Sequence, residues 1–387
     1  MIVVIPAYEP DDKLLDVLTA FQARPDFTQI VVDDGSSAAC QPIFDAVEGR
    51  ERVVLLRHPS NRGKGAALKT AFTYIRDHFP ETEGIVTVDA DGQHLFSDTL
   101  AICDVWQKHP DALVTGSRRF TGNVPFKSRW GNGITRGVFH VCTGVKVYDT
   151  QTGLRAFGAA RIDEMLGLRG DRYEFEINQL LYCTRNKIDI LEVPIETVYL
   201  DDNKSSHFHA VKDSWRIYKQ LFRYVGTTIV KFLTTSFSSF LIDTLVFCLL
   251  FYGVIALLGG WDVAVQYLSF RNGAAHNETL AQLVGQSVLF VSVIRMSAQV
   301  IARILSSTCN YLLNKRYVFH AKPTNGFLKY AVLTVVILLL SLGLVQLFTM
   351  IGVPEWLSSI FAQMICYPLS FGFQRIFVFA EKRAQLP

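Results

Sequence analysis

Between Ala331 and Val353, and again between Trp356 and Gln374, the chain carries no charged residue. Each stretch is close to the ~20 apolar residues that carry a helix across the hydrocarbon core of a bilayer. Lipid offers no partner for backbone N–H and C=O groups, so such segments must be helices or parts of a closed barrel. Two more stretches, about 228–256 and 286–313, are long enough but hold a few charges. We therefore expect an all-α domain over 226–387 with four transmembrane helices, at about 228–256, 286–313, 328–352 and 355–378.

The first 225 residues have the mixed charge of a soluble protein. A formal net charge of +3 is too mild for a nucleic-acid partner. The start, MIVVIPAYEP, lacks a basic region and its apolar run stops at Pro6, so no signal peptide is expected. Seven cysteines occur without a C-x-x-C pair, which suggests reduced thiols and no zinc site. Lys315, Arg316, Lys322 and Lys329 lie between the second and third spans and Arg375, Lys382 and Arg383 in the tail, whereas the loop at about 258–285 has only Arg271. That asymmetry puts both termini and the soluble half in the cytoplasm of a multi-pass protein of the plasma (inner) membrane.

Within the soluble half, apolar runs at 2–5, 30–32, 53–56, 85–88 and 112–115 alternate with helical patterns at 13–23, 64–78 and 97–108. Alternation of this kind implies an α/β domain with a mostly parallel sheet, whose ligands sit at the carboxyl ends of the strands. Those ends carry PAYE (6–9), DDGSS (33–37), NRGKG (61–65) and DADGQH (89–94). Singly, each has an ordinary explanation. DDGSS reads equally as a turn and helix cap. NRGKG lacks the Ser or Thr of a Walker loop, although a glycine-rich helix start can receive phosphate. Two carboxylates at a strand tip also occur as a solvated loop. Together they point to a nucleotide-and-metal site, and hard oxygen ligands favour Mg²⁺ or Mn²⁺.

The series PAYEP, VVDDGSS, NRGKGAAL, VDADGQH and TGSRR, continued by VPFKSRWGNGITRGVF (124–139), YDTQTGLRAF (148–157), YEFEINQLL (173–181) and IETVYLDDNKSSHF (195–208), resembles family 2 glycosyltransferases of the GT-A (Rossmann-like) fold. The resemblance is to the branch of dolichyl-phosphate-mannose synthases and polyprenyl-phosphate glucosyltransferases. It covers about residues 1–210, and the membrane half is similar to the small GtrA-type domain. It implies that Pro6, Ala7, Tyr8, Glu9 and Asp34 line the nucleotide and that Lys64 lies in a loop closing over it. Asp89, Asp91 and Gln93 would form the metal site at the diphosphate, with Asp89 also on the nucleotide side. Arg118 and Arg129 would face the acceptor phosphate. Asp149, in the pattern ending at Arg155, would sit near the reacting sugar, so Asp91, Asp149 and Arg155 are the expected catalytic residues.

The acceptor decides what else the chemistry needs. A sugar hydroxyl needs a base. A lipid monophosphate, with a second pKa of about 6, needs positioning cations instead. Arg118, Arg119, Arg129, Arg136 and Arg155 follow the metal motif and favour the phosphate, although at least two are expected to be surface arginines. Asp149 could act as base, hold Arg155 or order its loop. His94 is expected to be a hydrogen-bonded loop histidine.

At 210–225, Val211, Trp215, Tyr218, Phe222 and Val225 form an apolar stripe beside Lys212, Arg216, Lys219 and Arg223. This reads as an amphipathic linker helix in the headgroup layer, the alternative being a linker packed on the catalytic domain (1–209). In the membrane half, NYLLNKRYVF (310–319) repeats as SFGFQRIFVF (370–379). Asp243 against Arg295 and Arg303 reads as an ion pair between the first two spans, or alternatively as a slot for lipid phosphate.

The expected activity is transfer of a hexose from a UDP- or GDP-sugar, UDP-glucose ahead of GDP-mannose, to undecaprenyl or dolichyl phosphate, with inversion implied by the resemblance alone. The alternatives are a lipid-linked-sugar flippase with a sugar-nucleotide-binding regulatory domain, and transfer to a growing glycan. Expected partners are the nucleotide sugar, the polyprenyl phosphate and the bilayer, with a homo-oligomer left open.

Overall fold

The computed structural model describes residues 1–118, 126–196, 210–260, 262, 281–319, 325–353 and 355–379. The chain divides into two compact units, Met1–Val225 and Gly226–Glu381.

In the first unit the strands are β1 (Ile2–Ala7), β2 (Thr28–Asp33), β3 (Val53–Arg57), β4 (Gly84–Thr87), β5 (Leu113–Arg118), β6 (Arg155–Gly158) and β7 (Ile190–Ile195). They form one sheet in the order β3-β2-β1-β4-β6-β5-β7. The helices are α1 (Lys13–Gln22), α2 (Gln41–Val47), α3 (Lys64–His78), α4 (Phe96–Lys108), α5 (Phe126–Thr143), α6 (Ile162–Leu166) and α7 (Glu174–Arg185). β1, as IVVIPA, is apolar on both faces because helices cover both, and Val3, Val4 and Ile5 are fully buried. Leu14, Leu18 and Phe21 of α1 and Trp106 of α4 join that core. Burying each such side chain is worth about 1.5–3 kcal/mol.

Pairing is parallel except around β6, which runs antiparallel to β4 and β5. The run RAFG is too short and opens on a charge, so apolar periodicity does not reveal it. Its direction has a consequence for the site. Thr87, the last residue of β4, faces Arg155, the first of β6. The segment leading into β6 therefore lies on the edge where β4 ends. The strand order reverses direction at β1 and β4, which opens a crevice of the kind where α/β sheets hold ligands.

The second unit is helical: α8 (Ala210–Gly259, beginning in the first unit), α9 (Val288–Leu313), α10 (Gly326–Met350) and α11 (Glu355–Phe373). Among the described residues three helices are long and apolar enough to cross a membrane, Lys212–Gly259, Val288–Val318 and Gly326–Phe348. The fourth expected span is also a helix, shorter and with Pro368 inside it. The loop expected at about 258–285 falls mostly outside the described residues.

The helix expected at 210–225 is present, and it does not end before the first span. Ala210–Gly259 is one uninterrupted helix of 50 residues. With no proline in the run, continuing costs less than a break that would orphan backbone groups at two new ends. The expected apolar stripe also divides. Of its members Val225 is buried and Tyr218 half-buried, whereas Trp215 and Phe222 are exposed at 68% and 58% beside Lys219 and Arg223.

The internal repeat is structural. Its two copies end in matching π-helical segments, Asn314–Val318 and Gln374–Val378. Asn314 Nδ2 donates to Gln374 Oε1 at 2.9 Å, and Thr235 Oγ1 donates to Asn314 Oδ1 at 2.6 Å. Phe319 and Phe379, which end the copies, stack with centroids 4.7 Å apart. Asp243 takes an ion pair from Arg303 at 3.4 Å and a hydrogen bond from Ser306 Oγ at 2.9 Å, so α8 and α9 are tied by the pairing the charges suggest.

Candidate active site

Four strand ends gather the polar residues. After β2, Asp34 is buried and organises the loop before α3. Its Oδ1 accepts from Arg62 N at 2.9 Å and lies 2.7 Å from His58 Nδ1, and its Oδ2 accepts from Gly63 N at 2.8 Å. Gly63 has φ +104 and packs on the Asp171 carbonyl, so a side chain there would be strained and crowded. Beyond β1, Pro6 and Ala7 close the strand and Tyr8 is an exposed ring. Glu9, with φ +49, accepts from Ser37 N at 2.7 Å and Ser37 Oγ at 2.9 Å. PAYE and DDGSS thus form one hydrogen-bonded rim.

Lys64 is not in a loop over the nucleotide. It is the first residue of α3, and its Nζ lies 2.6 Å from Asp89 Oδ1 and 2.7 Å from Glu176 Oε1. Burial would lower the Lys64 ammonium, but the two facing carboxylates outweigh it and hold it well above the ordinary lysine value. Burial would likewise raise Asp89, yet the Lys64 charge, with help from His94, holds that carboxyl well below the usual range. His94 Nε2 is 3.4 Å from Asp89 Oδ2. Asp91 shifts the other way, raised by burial and by the charge of Asp89. Its Oδ1 accepts from Gln93 N at 3.1 Å, closing the tight DADGQ turn. Gly153 allows this turn to seat, because a Cβ there would run into both Asp89 oxygens.

This cluster fits a divalent cation. Asp89 and Asp91 bring two hard anionic carboxylates into one turn, and burial first, then the charge of Asp89, raises the Asp91 carboxyl in the protein alone. Among the described residues no three His, Cys, Asp or Glu side chains converge as a protein-only cage. A Mg²⁺ or Mn²⁺ held by Asp91, Asp89 and the Gln93 amide would complete its shell with water and substrate oxygens.

The expected catalytic role of Arg155 is corrected. Arg155 is 1% exposed, and its guanidinium donates to the carbonyls of Thr152, Glu176 and Thr150 and to Gln179 Oε1. It braces the start of β6 against α7 and is too buried to touch substrate. Arg155→Met is expected to destabilise the protein by about 2–4 kcal/mol through orphaned carbonyls. Thermal unfolding of the detergent-solubilised protein would show it, and an unchanged midpoint would contradict the bracing role.

Of the three roles open to it, Asp149 does not hold Arg155 and does order its own loop, its Oδ1 accepting from Gln151 N at 3.0 Å. It is fully buried and grips Arg118, from Nε at 2.5 Å and Nη2 at 3.1 Å. Burial would raise the Asp149 carboxyl, but the Arg118 charge and its hydrogen bonds hold it below the usual range, which makes it a poor base. Glu192 fixes the same turn by accepting from Tyr148 N at 2.8 Å and Asp149 N at 3.1 Å. Arg136 lies over the Tyr148 ring. Arg129 falls on α5 with its side chain outside the described residues, as do Arg119 and residues 197–208 of the last motif.

Sequence reasoning did not assign Glu176, Tyr173, Gly153 or Glu192 a role. The YEFE run offered a signal, since carboxylates in a conspicuous motif need cationic partners. The Tyr173 phenol is pushed up to about 12, first by burial.

Residues 2–161 match the glycosyl transferase family 2 domain, and residues 231–379 match the GtrA/DPMS transmembrane domain. UDP-N-acetylglucosamine–dolichyl-phosphate N-acetylglucosaminyltransferase of Methanococcus voltae is 30% identical over 220 residues, covering 51% of this chain and 85% of that protein. The chain belongs to glycosyl transferase family 2. An uncharacterized protein of Methanocaldococcus jannaschii is 30% identical over 208 residues, 52% of this glycosyltransferase and 83% of its own length. Dolichyl-phosphate beta-glucosyltransferase of Saccharomyces cerevisiae is 28% identical over 236 residues, 52% and 68%. Among solved structures, glucosyl-3-phosphoglycerate synthase from Mycobacterium tuberculosis superposes with a TM-score of 0.42 at 16% identity, over 58% of this chain and 78% of that one. This family 2 glycosyltransferase is therefore a membrane enzyme with a GtrA/DPMS domain as its second half.

Proposed function

We propose that this glycosyltransferase moves a hexose from a nucleotide sugar, UDP-glucose ahead of GDP-mannose, to the phosphate of a polyprenyl lipid at the cytoplasmic face of the plasma membrane. The observation that carries the reading is the convergence of Asp89, Asp91, Arg118 and the Tyr8–Glu9 rim on one sheet edge, in a chain whose second half is a membrane domain. The exposed Tyr8 ring can stack on a base, and the rim around Asp34 and Glu9 supports a ribose site. Two of the relatives act on dolichyl phosphate by name, and one of these takes a UDP-sugar, which supports a lipid phosphate acceptor and favours uracil.

Bound at Asp91, Asp89 and Gln93, Mg²⁺ or Mn²⁺ would supply Lewis-acid stabilisation of the leaving diphosphate. The chain's own residues do the rest. Arg118, oriented by Asp149, presents a planar guanidinium suited to a phosphate dianion, which already carries the attacking oxygen and asks for no base. A phosphate oxygen that bonds to the anomeric carbon as the bond to the nucleoside diphosphate breaks on the opposite face would invert that centre, the outcome the family resemblance implies.

The test is a donor screen of UDP- and GDP-sugars with purified protein, Mg²⁺ and undecaprenyl phosphate. Glycolipid from one donor supports the proposal. Absence of product with every common donor, under conditions where nucleotide binds, would sink it and favour a sensor-linked transporter. Product only when an oligosaccharide replaces the lipid phosphate would move the acceptor to a growing glycan.

A further inference from the structure

Lys64 is an odd residue to open a helix. The first turn of α3 carries the positive end of the helix dipole, where a cation is disfavoured. Two carboxylates from different elements offset this, Asp89 beyond β4 and Glu176 on α7, with Lys64 Nζ between them at 2.6 and 2.7 Å. The backbone around it is anchored on both sides. Asp34 holds the N–H groups of Arg62 and Gly63, and the Asp171 carbonyl accepts from Ala66 N at 2.9 Å. Freedom to move therefore resides in the side chain, a four-carbon stem ending in three rotatable donors.

The two carboxylates of the metal motif differ in their occupancy by protein groups. Asp89 Oδ1 is taken by Lys64 and Oδ2 faces His94, whereas Asp91 makes no ion pair among the described residues. A divalent ion arriving alone meets one available carboxylate and must displace an ammonium to gain the second. A nucleoside diphosphate changes this balance, because its phosphates give Lys64 another anion to bind.

We propose that Lys64 is the resident counter-ion of the donor site, competing with the divalent cation for Asp89 until a nucleoside diphosphate draws it away. Glu176 is its holding partner. This rests on the reading of Asp89 and Asp91 as metal-binding. The consequence is a coupled donor site, in which metal and nucleotide bind together and metal alone binds weakly.

The test is Mn²⁺ binding by titration calorimetry on the full detergent-solubilised protein, with and without UDP. Lys64→Met is expected to tighten Mn²⁺ binding about tenfold in the absence of UDP, a common size for coupling between sites. With UDP present the gain should vanish or reverse. Lys64→Arg, which keeps the charge, should restore weak binding of Mn²⁺ alone. If the Lys64→Met change is absent, or is the same factor with and without UDP, the lysine acts only as a nearby charge and the inference is overturned. Should Lys64→Met not fold, Lys64→Gln, which removes the charge but keeps a donor, carries the same comparison. Failure of the wild type to bind Mn²⁺ with UDP or GDP would instead remove the metal reading itself.

Discussion

Asp91→Ala is expected to reduce sugar transfer by about a thousandfold or more, the scale lost when charge stabilisation at a leaving group is removed. Folding should be unaffected. Asp91 is half-buried and has no ion pair among the described residues, and its carboxyl is raised by burial and by Asp89. Deleting it relieves a repulsion inside the protein, so the unfolding midpoint should stay level or rise, as at sites where function is held at a cost in stability. Radiolabelled transfer measured beside thermal unfolding separates the two effects. A variant that folds and still transfers sugar would remove the metal assignment.

Asp89→Ala should behave differently, although it lies two residues away. Its carboxylate is bound to Lys64 and faces His94, and its loss leaves a buried ammonium shared with Glu176 alone. The same motif thus contains one carboxylate strained by its surroundings and one satisfied by them. Nothing in the string DADGQH distinguishes the pair. The distinction comes from α3 and α7, contributed by positions far along the chain.

That pattern describes what the sequence could and could not reveal. β1 to β5 and helices α1, α3 and α4 were legible because apolar runs and helical periodicity are local signals. The placement of DADGQH at a sheet edge followed from the parallel topology. β6 was not legible, since four residues beginning with a buried arginine carry no periodic signature. Yet its antiparallel pairing with β4 and β5 is what brings Gly153 against Asp89 and Asp149 against Arg118. The partner of each charge was hidden for the same reason. Arg118, Arg155 and Lys64 all read as cations near a phosphate. In the fold one faces the edge on a carboxylate brace, one is a buried strut, and one sits between two acids. In the membrane half, composition located the helices and the repeat. The continuous α8 was missed because charge patterning reports where a helix can meet an interface, not whether it ends there.

Asp149→Asn is the second large effect. The change keeps size and shape but turns an anion gripping Arg118 by two donors into a neutral amide. Charge-assisted bidentate contacts are roughly twice as strong as neutral ones, so the guanidinium loses its fixed orientation. Misplacing a positioning group by about 1 Å can cost around a hundredfold, and that is the loss expected in kcat/KM for the lipid phosphate. KM for the donor should change little. Because the Asp149 carboxyl is held below its ordinary value, the pairing is fully present above the unfolded value of about 3.9 and fades only as pH falls through the lower folded value. The pH–rate profile near neutrality should therefore keep its shape in the variant. A general base would give the opposite result, a lost limb in that profile. Combining Asp149→Asn with Arg118→Met decides between the roles. If Asp149 acts through Arg118, the double variant is no slower than Arg118→Met alone, whereas multiplied losses would return Asp149 to the chemistry itself.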